Sequence, residues 1–452
     1  MHAYGTRRSK MPPSAFTMPP LTHRAVLVIA LPVVLSNLST PLLGAVDTAV
    51  MGQIADPAYI GAVAIGSLVF TFIFWAFGFL RMGTTGLTAQ ALGAADTDEL
   101  VAALGRPLLI ALAAGCSLVL LQWPIREMAF TLIEGSPRVE SMARAYFDIR
   151  IWAAPATFAN YALLGWFIGL GRTDIGLVLQ LVLNLVNVVL DLFFVLGLGW
   201  DVRGVALGTL LAEIVAVAVG LAIAARQVRR MGAHWSWRRL LDGVPLKRTL
   251  IINGDILVRS LALIVVFVWF MAQGARQGDV QLAANAVLMQ LVSASAYFLD
   301  GLAFAAEALV GRAVGAGRRA GLVAAAGFTT VWAVAIAALL ALLFAFFGGM
   351  LIDLLSVDAS VRAAARTYLP WAVGAPLMGV LAFQLDGIFI GATRSGDMRR
   401  AMLLSLAIFM LAWWLLRPWG NHGLWAALYV HYIARTVTLS WCYPALMRSV
   451  PQ

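Results

Sequence analysis

Long apolar runs alternate along the chain with short polar or charged connections. A helix needs about 20 apolar residues to cross a bilayer, and irregular backbone cannot face lipid, so these runs predict an all-α membrane protein with twelve transmembrane helices. The runs are too long for the strands of a membrane barrel. The predicted spans are 25–50, 59–79, 101–121, 145–170, 175–198, 205–225, 249–271, 282–302, 322–347, 363–390, 401–416 and 424–447.

The composition supports a membrane protein. Of the 452 residues, 62% are hydrophobic and 12% are charged, which is about half the charged fraction of soluble domains. The net charge of +10 comes mainly from arginines in the connections, and most of these lie on the side that holds the N-terminus. The positive-inside rule therefore predicts a multi-pass protein of the bacterial inner membrane with both termini in the cytoplasm, rather than a nucleic-acid-binding protein.

The connections divide the chain into four segments. Residues 1–23 are Pro-rich and basic and predict a flexible cytoplasmic tail. Residues 24–225 form an N-terminal lobe, 226–248 a basic cytoplasmic linker, and 249–452 a C-terminal lobe. Residues 235–241 of the linker could lie as an interfacial amphipathic helix, and a plain connection is the alternative.

The two lobes repeat one another. The hexapeptide that begins at Phe167 and ends at Arg172 reappears 222 residues later, from Phe389 to Arg394. A second Gly/Ala-rich anchor, around residues 93 and 315, has the same offset. Each lobe contains six spans, an even number, so both insert the same way up. The sequence therefore predicts two pseudo-symmetric six-helix lobes around a central cleft, an architecture suited to alternating access.

Polar residues inside the predicted spans of the N-terminal lobe are candidate functional groups. Asp47 ends the first span, and a charged side chain in hydrocarbon costs at least ~2.5 kcal/mol, which makes it a functional hypothesis by default. Paired carboxylates can share a proton, the same oxygens can bind a small cation, and a structural hydrogen-bonded network is the third interpretation. The other candidates are Asn160, Asn187, Asp191 and Thr209, with Glu213 one turn further on.

The C-terminal lobe also carries ionisable groups within its spans. They could contact a substrate or a coupling ion. Asp255 and Arg259, four residues apart, could instead simply pair with each other. The candidates are Asp255, Asn285, Asp300, Glu307 and Asp386.

An ATP-driven motor and an enzyme are both disfavoured. The only lysines, Lys10 and Lys247, do not follow a glycine-rich phosphate loop. No arrangement of nucleophile and base stands out, and Cys116 and Cys442 have no metal-site or haem spacing. We therefore expect no cofactor and a transport cycle driven by an ion gradient or by the substrate's own gradient.

Four motifs stand out within the predicted spans. They are Pro41-x5-Asp47-Thr-Ala-Val-Met-Gly52, Asn187-x3-Asp191, Asp300-Gly-Leu-Ala-Phe-Ala-Ala-Glu307-Ala-Leu-Val-Gly and Leu385-Asp-Gly-Ile-Phe-Ile-Gly-Ala-Thr-Arg394. Together they resemble the motifs of the multidrug and toxin extrusion (MATE) transporters, and in particular the branch named for DNA-damage-inducible protein F (DinF). The resemblance covers roughly residue 21 to the C-terminus.

The resemblance implies efflux of mostly cationic, amphipathic drugs by antiport with protons or sodium ions. It implies that Asp47 is the coupling carboxylate and that Pro32 would be a hinge in the first helix. A sodium ion would bind at Asp47, Asn187 and Asp191. The polar site that it implies consists of Asp47, Asn160, Asn187, Asp191 and Thr209.

Other members of the family place a cation site in the C-terminal lobe, for which Asp255 and Asp386 are the nearest candidates here. We expect the partners to be small organic cations and the lipid bilayer, with no nucleic acid, and the protein to be a monomer. Two other classes stay open. A lipid-linked oligosaccharide flippase or metabolite exporter of a related superfamily is one, and a non-transporting membrane scaffold or receptor is the other.

Overall fold

The computed structural model describes residues 21–54, 56–132 and 136–451, which are mostly helical. Nearly all of the predicted tail, 1–23, lies outside the described residues. The helices of the first half are α1 (His23–Met51), α2 (Pro57–Ala76), α3 (Phe79–Gly93), α4 (Thr97–Leu120), α5 (Gln122–Leu132), α6 (Pro137–Arg150), α7 (Ala154–Gly169), α8 (Thr173–Asp191), α9 (Val202–Arg230) and α10 (Trp237–Leu240). Those of the second half are α11 (Gly243–Ala275), α12 (Asp279–Gly315), α13 (Arg319–Leu355), α14 (Ala359–Gly391), α15 (Ser395–Leu416) and α16 (Gly420–Ser449).

Within the described chain, ten helical stretches are long and apolar enough to cross a membrane. One of them, Ser395–Ser449, contains both α15 and α16, and α1 contributes a shorter apolar segment, His23–Ser39. Two stretches are composite, because α2 and α3 form Ala58–Gly93, and α6 and α7 form Pro137–Gly169. With α15 and α16 counted separately and α1 included, the helices follow the order of the twelve predicted spans.

Several spans are longer than the apolar pattern predicts, and the second and the fourth differ in ways that shape the first unit. The second continues past residue 79 through α3, whose Thr84, Thr85 and Thr88 are fully buried. The fourth begins at Pro137 rather than at residue 145. In α3, Thr84 and Thr85 donate their hydroxyl hydrogens to the carbonyl groups one turn earlier, at 2.6 and 2.9 Å. This satisfies the hydroxyls within the helix, so a polar sequence can continue a buried span.

The chain forms two compact units. The first comprises Leu35–Leu250, and the second comprises residues 21–34 together with 251–451. The first part of α1 therefore groups with the second unit, although the sequence division places all of it in the N-terminal lobe. The first unit has a core around Trp166 and Phe167, and the second has one around Phe270, Phe409 and Trp425.

The 222-residue repeat is visible in helix packing inside each unit. A Cβ atom at Gly165 in α7 would lie 2.3 Å from the carbonyl oxygen of Arg81 in α3. The equivalent Gly387 in α14 faces the carbonyl oxygen of Ala303 in α12 in the same way, at 2.4 Å. Both partners are backbone atoms that a larger residue could not push aside. The 222-residue repeat thus includes one close helix contact, which occurs once in each unit.

The ends of these helices repeat as well. Ala95 and Gly317, 222 residues apart, follow α3 and α12 with φ angles of 56° and 65°. Gly171 and Thr393, also 222 residues apart, follow α7 and α14 with φ angles of 72° and 51°. A left-handed residue just past a helix end is a common way to stop a helix. Only one residue of each pair is glycine. The two units therefore share the left-handed helix ending although the residue at that position differs.

The basic linker is folded onto the first unit. Arg106 in α4 donates to the carbonyl oxygen of Arg239 at 2.9 Å. Leu240 is 4% exposed and lies against Gly105. Trp237, in contrast, is 67% exposed. The helical part of the linker is only four residues long. Buried Leu240, the hydrogen bond to the carbonyl oxygen of Arg239, and ion pairs of Arg239 with Asp96 and Asp98, at 3.6 and 3.3 Å, attach it.

Candidate functional site

The amide group of Asn187 lies between two carboxyl groups. With its nitrogen and oxygen assigned as the neighbouring atoms require, the nitrogen donates to Oδ1 of Asp47 and to Oδ2 of Asp191, both at 3.2 Å. The amide oxygen accepts from the hydroxyl and the backbone N–H of Thr209, at 3.1 and 3.3 Å. The structure therefore brings four of the five predicted N-terminal site residues into one hydrogen-bonded group.

This group is shielded from solvent. Asn187 and Asp191 have no exposed surface, and Asp47 is 8% exposed. The carboxyl groups of Asp47 and Asp191 also interact electrostatically, and both accept from the same amide nitrogen. Two carboxylates so close together in a medium of low dielectric constant cannot both be ionised without strong repulsion. The arrangement can hold one proton between them.

Local structure explains how the group is assembled. Asn187 and Asp191 are one turn apart on α8, so they share a helix face. Asn184, on the turn before, donates to the carbonyl oxygen of Ser39 at 3.2 Å, which ties α8 to α1. Immediately after Asp191 the helix widens into a π-helical segment, Leu192–Gly197, a feature that is frequent at functional sites.

Asn160 belongs to a neighbouring group. Its amide nitrogen donates to Oε2 of Glu213 at 2.7 Å and to the carbonyl oxygen of the same residue at 3.1 Å. Oε1 of Glu213 lies 3.8 Å from Nη2 of Arg150. The role of Glu213 is open from the sequence, and Arg150 is not among the residues predicted for the site. A charged residue inside the predicted span 145–170 was the signal that could have identified it.

In the second unit, each of the two candidate carboxylates has arginine partners. Oδ2 of Asp386 accepts from Arg259 at 2.6 Å and from Arg435 at 2.5 Å. Asp255 accepts from Ser395 at 2.8 Å and from Arg399 at 2.5 Å. The suggested pairing of Asp255 with Arg259 is therefore wrong. The side chains leave α11 towards different helices, so that Asp255 meets α15 and Arg259 meets α14.

The other C-terminal candidates lie apart from Asp255. Asn285 exchanges two hydrogen bonds with Asn421, at 2.8 and 2.9 Å, and accepts a third from Trp425 at 3.0 Å. Asp300 and Glu307 lie within Coulombic range of Arg259, and Glu307 is 1% exposed. The structure thus separates Asp255 and Asn285 from the charged group around Arg259. Pro32 lies inside α1, in the part that groups with the second unit.

Within the described residues, no three His, Cys, Asp or Glu side chains cluster as a metal site would require. Asp47 and Asp191 are a pair of carboxylates with an amide between them. The strongest ligands that this group could offer to a cation are these two carboxylates.

Comparison with known proteins identifies relatives along most of the chain. The MatE family model matches residues 32–193 and 256–415. DNA damage-inducible protein F of Escherichia coli (strain K12) is 40% identical over 426 residues, which cover 93% of this chain and 91% of that protein. A probable multidrug resistance protein NorM of Rhizobium meliloti (strain 1021) is 24% identical over 454 residues, with 95% of each chain covered.

Two solved structures have the same fold. A crystal structure of a MATE protein in complex with MaL6 superposes with a TM-score of 0.85 at 17% identity, covering 96% of this chain and 98% of the other. The structure of an outward-facing multidrug resistance MATE family transporter of the MOP superfamily superposes with a TM-score of 0.83 at 16% identity. The match covers 96% of this chain and 98% of the other. These similarities confirm the predicted all-helical membrane fold of twelve spans in two six-helix lobes.

Proposed function

Because the chain belongs to the MatE family of membrane transporters, we propose that it exports amphipathic, mostly cationic compounds by antiport with protons. Asp47 is the coupling carboxylate in this proposal, and Asp191 is its partner. The protein is a transporter and not an enzyme. Relatives that carry the name of multidrug resistance proteins support drugs as the substrate class.

One observation carries the proposal, which is the buried carboxyl pair bridged by Asn187. With the shared proton bound the pair has one negative charge, and without it the pair has two. A cationic substrate is attracted more strongly to the form that has lost the proton. Proton binding and substrate binding thus compete for the same charge, which is the thermodynamic requirement for antiport.

The amide group of Asn187 suits either coupling ion. With its nitrogen towards Asp47 and Asp191, it donates to both acids of a pair that shares a proton. With its oxygen towards them, it would be a ligand of a sodium ion at Asp47, Asn187 and Asp191. Uptake under separate proton and sodium gradients distinguishes the two ions.

The remaining assignments follow from the same proposal. The protein would lie in the bacterial inner membrane as a monomer with both termini cytoplasmic, and its two lobes would give alternating access, with Pro32 as a hinge in α1. Asn160 would support the site through Glu213. The C-terminal candidates are less suited to be coupling residues, because arginines neutralise both Asp386 and Asp255. Those candidates are Asp255, Asn285, Asp300, Glu307 and Asp386.

Uptake of a fluorescent organic cation into inside-out proteoliposomes tests the proposal. A proton gradient and a sodium gradient are imposed separately on the wild type, Asp47→Asn and Asp191→Asn. Asp174→Asn is the matched control, because Asp174 is 59% exposed and pairs with Arg172 at the surface. We expect proton-driven uptake that both site variants lose and that the control retains.

Other outcomes would change the assignment. Full activity of Asp47→Asn would refute its coupling role. Uptake driven by sodium alone would favour a cation site, and loss only in Asp255→Asn and Asp386→Asn would move the site to the second unit. No uptake under either gradient would bring the flippase interpretation forward.

A further inference from the structure

Arg150 is a buried cation near the acidic site. Its Nη2 lies 3.8 Å from Oε1 of Glu213, and Glu213 follows Thr209 by one turn of α9. Arg150 ends α6, well inside the helical stretch Pro137–Gly169 that is long and apolar enough to cross the membrane, and it is 8% exposed. Its guanidinium group lies over the rings of Phe70 and Phe74, with 5.6 and 5.1 Å from the guanidinium carbon to the ring centroids. Arginine stays protonated in proteins, so this position carries a fixed positive charge.

Glu213 neutralises the positive charge of Arg150 only in part. The closest approach between the two side chains is 3.8 Å, which is longer than a hydrogen bond. Oε2 of Glu213 is already held by Asn160 at 2.7 Å. Within the part of the chain that the structure describes, Nη1 of Arg150 is buried and has no hydrogen-bond partner. The guanidinium group therefore has an unused donor inside the membrane.

Charged and titratable groups lie on several helices around Arg150 and the acidic pair, and α2 contributes the rings of Phe70 and Phe74. On its own helix, Tyr146 lies within Coulombic range of Arg150 and of both aspartates. Tyr161 on α7 lies within the same range of Glu213, Arg150 and Arg81, and Asp47 lies within range of Arg150. The groups are Asp47 on α1, Arg81 on α3, Tyr146 on α6, Tyr161 on α7, Asp191 on α8 and Glu213 on α9.

We propose that Arg150 is a positioning residue of the Asp47–Asp191 pair. Its fixed charge offsets the second negative charge when the shared proton leaves, and its unused Nη1 donor turns towards the pair at that step. This inference rests on the proposed function, because it concerns the same carboxyl pair. It adds a residue that lies outside the four family motifs of this sequence. It also gives Glu213 a role, which is to hold Arg150 while the Asp47–Asp191 pair carries its shared proton.

The physical reason is the charge balance of a site without bulk water. Two adjacent carboxylates repel each other strongly in a medium of low dielectric constant. A proton that binds to such a pair would not leave during a transport cycle unless a counter-charge were present. Arg150 supplies that counter-charge. The rings of Phe70 and Phe74 stabilise its guanidinium group by cation–π contacts, which leave its N–H groups available for hydrogen bonds.

Infrared spectroscopy of the purified protein in nanodiscs tests this role. The signal is the protonated-carboxyl band that disappears from the spectrum of Asp47→Asn, and it is followed as a function of pH. The variants are Arg150→Gln, Arg150→Lys, Glu213→Gln and the double variant Arg150→Gln/Glu213→Gln. We expect Arg150→Gln to move the midpoint of proton loss upward by about one to two pH units, and Arg150→Lys to keep it near the wild type.

The double variant separates this role from that of a structural ion pair. It leaves no unpaired buried charge, so it also serves if Arg150→Gln alone does not fold. If Arg150 acts on the aspartates, the midpoint of the double variant lies above that of Glu213→Gln by a similar amount. A wild-type midpoint in Arg150→Gln, or a midpoint in the double variant equal to that of Glu213→Gln, would overturn the proposal. So would the absence of any band that depends on Asp47, because no shared proton would then exist.

The same variants distinguish a failure of the proposed antiport from a failure of the proposed role of Arg150. If the wild type shows no gradient-driven uptake, the antiport is refuted. The infrared midpoint does not depend on transport and still tests Arg150. If antiport holds, the pH at which uptake is half-maximal should move with the infrared midpoint in each variant. An unchanged uptake profile in a variant whose infrared midpoint has shifted would remove Arg150 from the transport cycle.

Discussion

Gly208 on α9 faces Oδ1 of Asp191 so closely that a Cβ atom at this position would lie 2.3 Å from the oxygen. Oδ1 of Asp191 has no hydrogen-bond partner among the described residues, and it packs against the backbone of α9 instead. The position of the carboxyl group therefore depends on the absence of a side chain on the neighbouring helix.

Gly208→Ala should move Asp191 without changing its chemistry. We expect proton-driven uptake to fall about tenfold or more, since a displacement of about 1 Å can cost this much at a functional site. Uptake by the variant in proteoliposomes is the measurement. Gly327→Ala is the control, because nothing lies within 4 Å of its Cβ position. Equal activity of the two variants would mean that the position of Asp191 is not critical.

Asn187→Leu should destabilise the protein more in alkaline than in mildly acidic buffer. Leucine has a similar size but cannot donate to Asp47 and Asp191. An unsatisfied buried acceptor costs about 1–3 kcal/mol, and this cost is larger once the pair has lost its proton and each oxygen needs a donor. Thermal unfolding in detergent at the two pH values gives the difference. A pH-independent loss of stability would argue against a proton shared by the pair.

Asp386→Asn and Asp255→Asn should differ in stability. The first leaves Arg259 and Arg435 without the carboxylate to which both donate, and breaking a buried ion pair in this way costs about 3–5 kcal/mol. The second frees Arg399, whose side chain is 40% exposed and can turn to solvent, so we expect a smaller loss. Thermal unfolding of both variants is the measurement.

The opposite result would also be informative. If Asp386→Asn keeps the melting temperature of the wild type but loses uptake, Asp386 takes part in transport, and the second unit contains a coupling site. Uptake assays on the same preparations therefore belong with the unfolding experiment.

Gly165→Ala and Gly387→Ala should destabilise the protein by similar amounts. Each would place a methyl group against a backbone carbonyl oxygen, 2.3 and 2.4 Å away, and overpacking of this kind costs about 1–3 kcal/mol. The melting temperatures of the two variants can be compared with that of Gly254→Ala, which has nothing within 4 Å. A large loss in one variant only would show that the repeated contact matters in only one unit.

The sequence by itself determined the fold and the family. Long apolar runs admit only helices in a membrane, and the repeat around Phe167 and Phe389 predicted two equivalent lobes. The motifs around Asp47 and Asp191 indicated the MATE family, which the family model and the 40% identical relative confirm. These features are local, since hydrophobicity, periodicity and short motifs can be read without knowing which helices touch.

Only the tertiary structure decided the partners of each buried charge. The spacing of Asp255 and Arg259 suggested a pair, yet each of these side chains meets a residue more than 100 positions away, Arg399 and Asp386 respectively. Asn160 bonds to Glu213 rather than to Asn187, and Arg150 lies beside Glu213. Helix periodicity fixes which residues share a face of one helix, but the rotation and neighbours of that helix arise from packing. The pairing of charges in a membrane protein follows from those neighbours, because a buried charge must find its partner wherever the fold brings one.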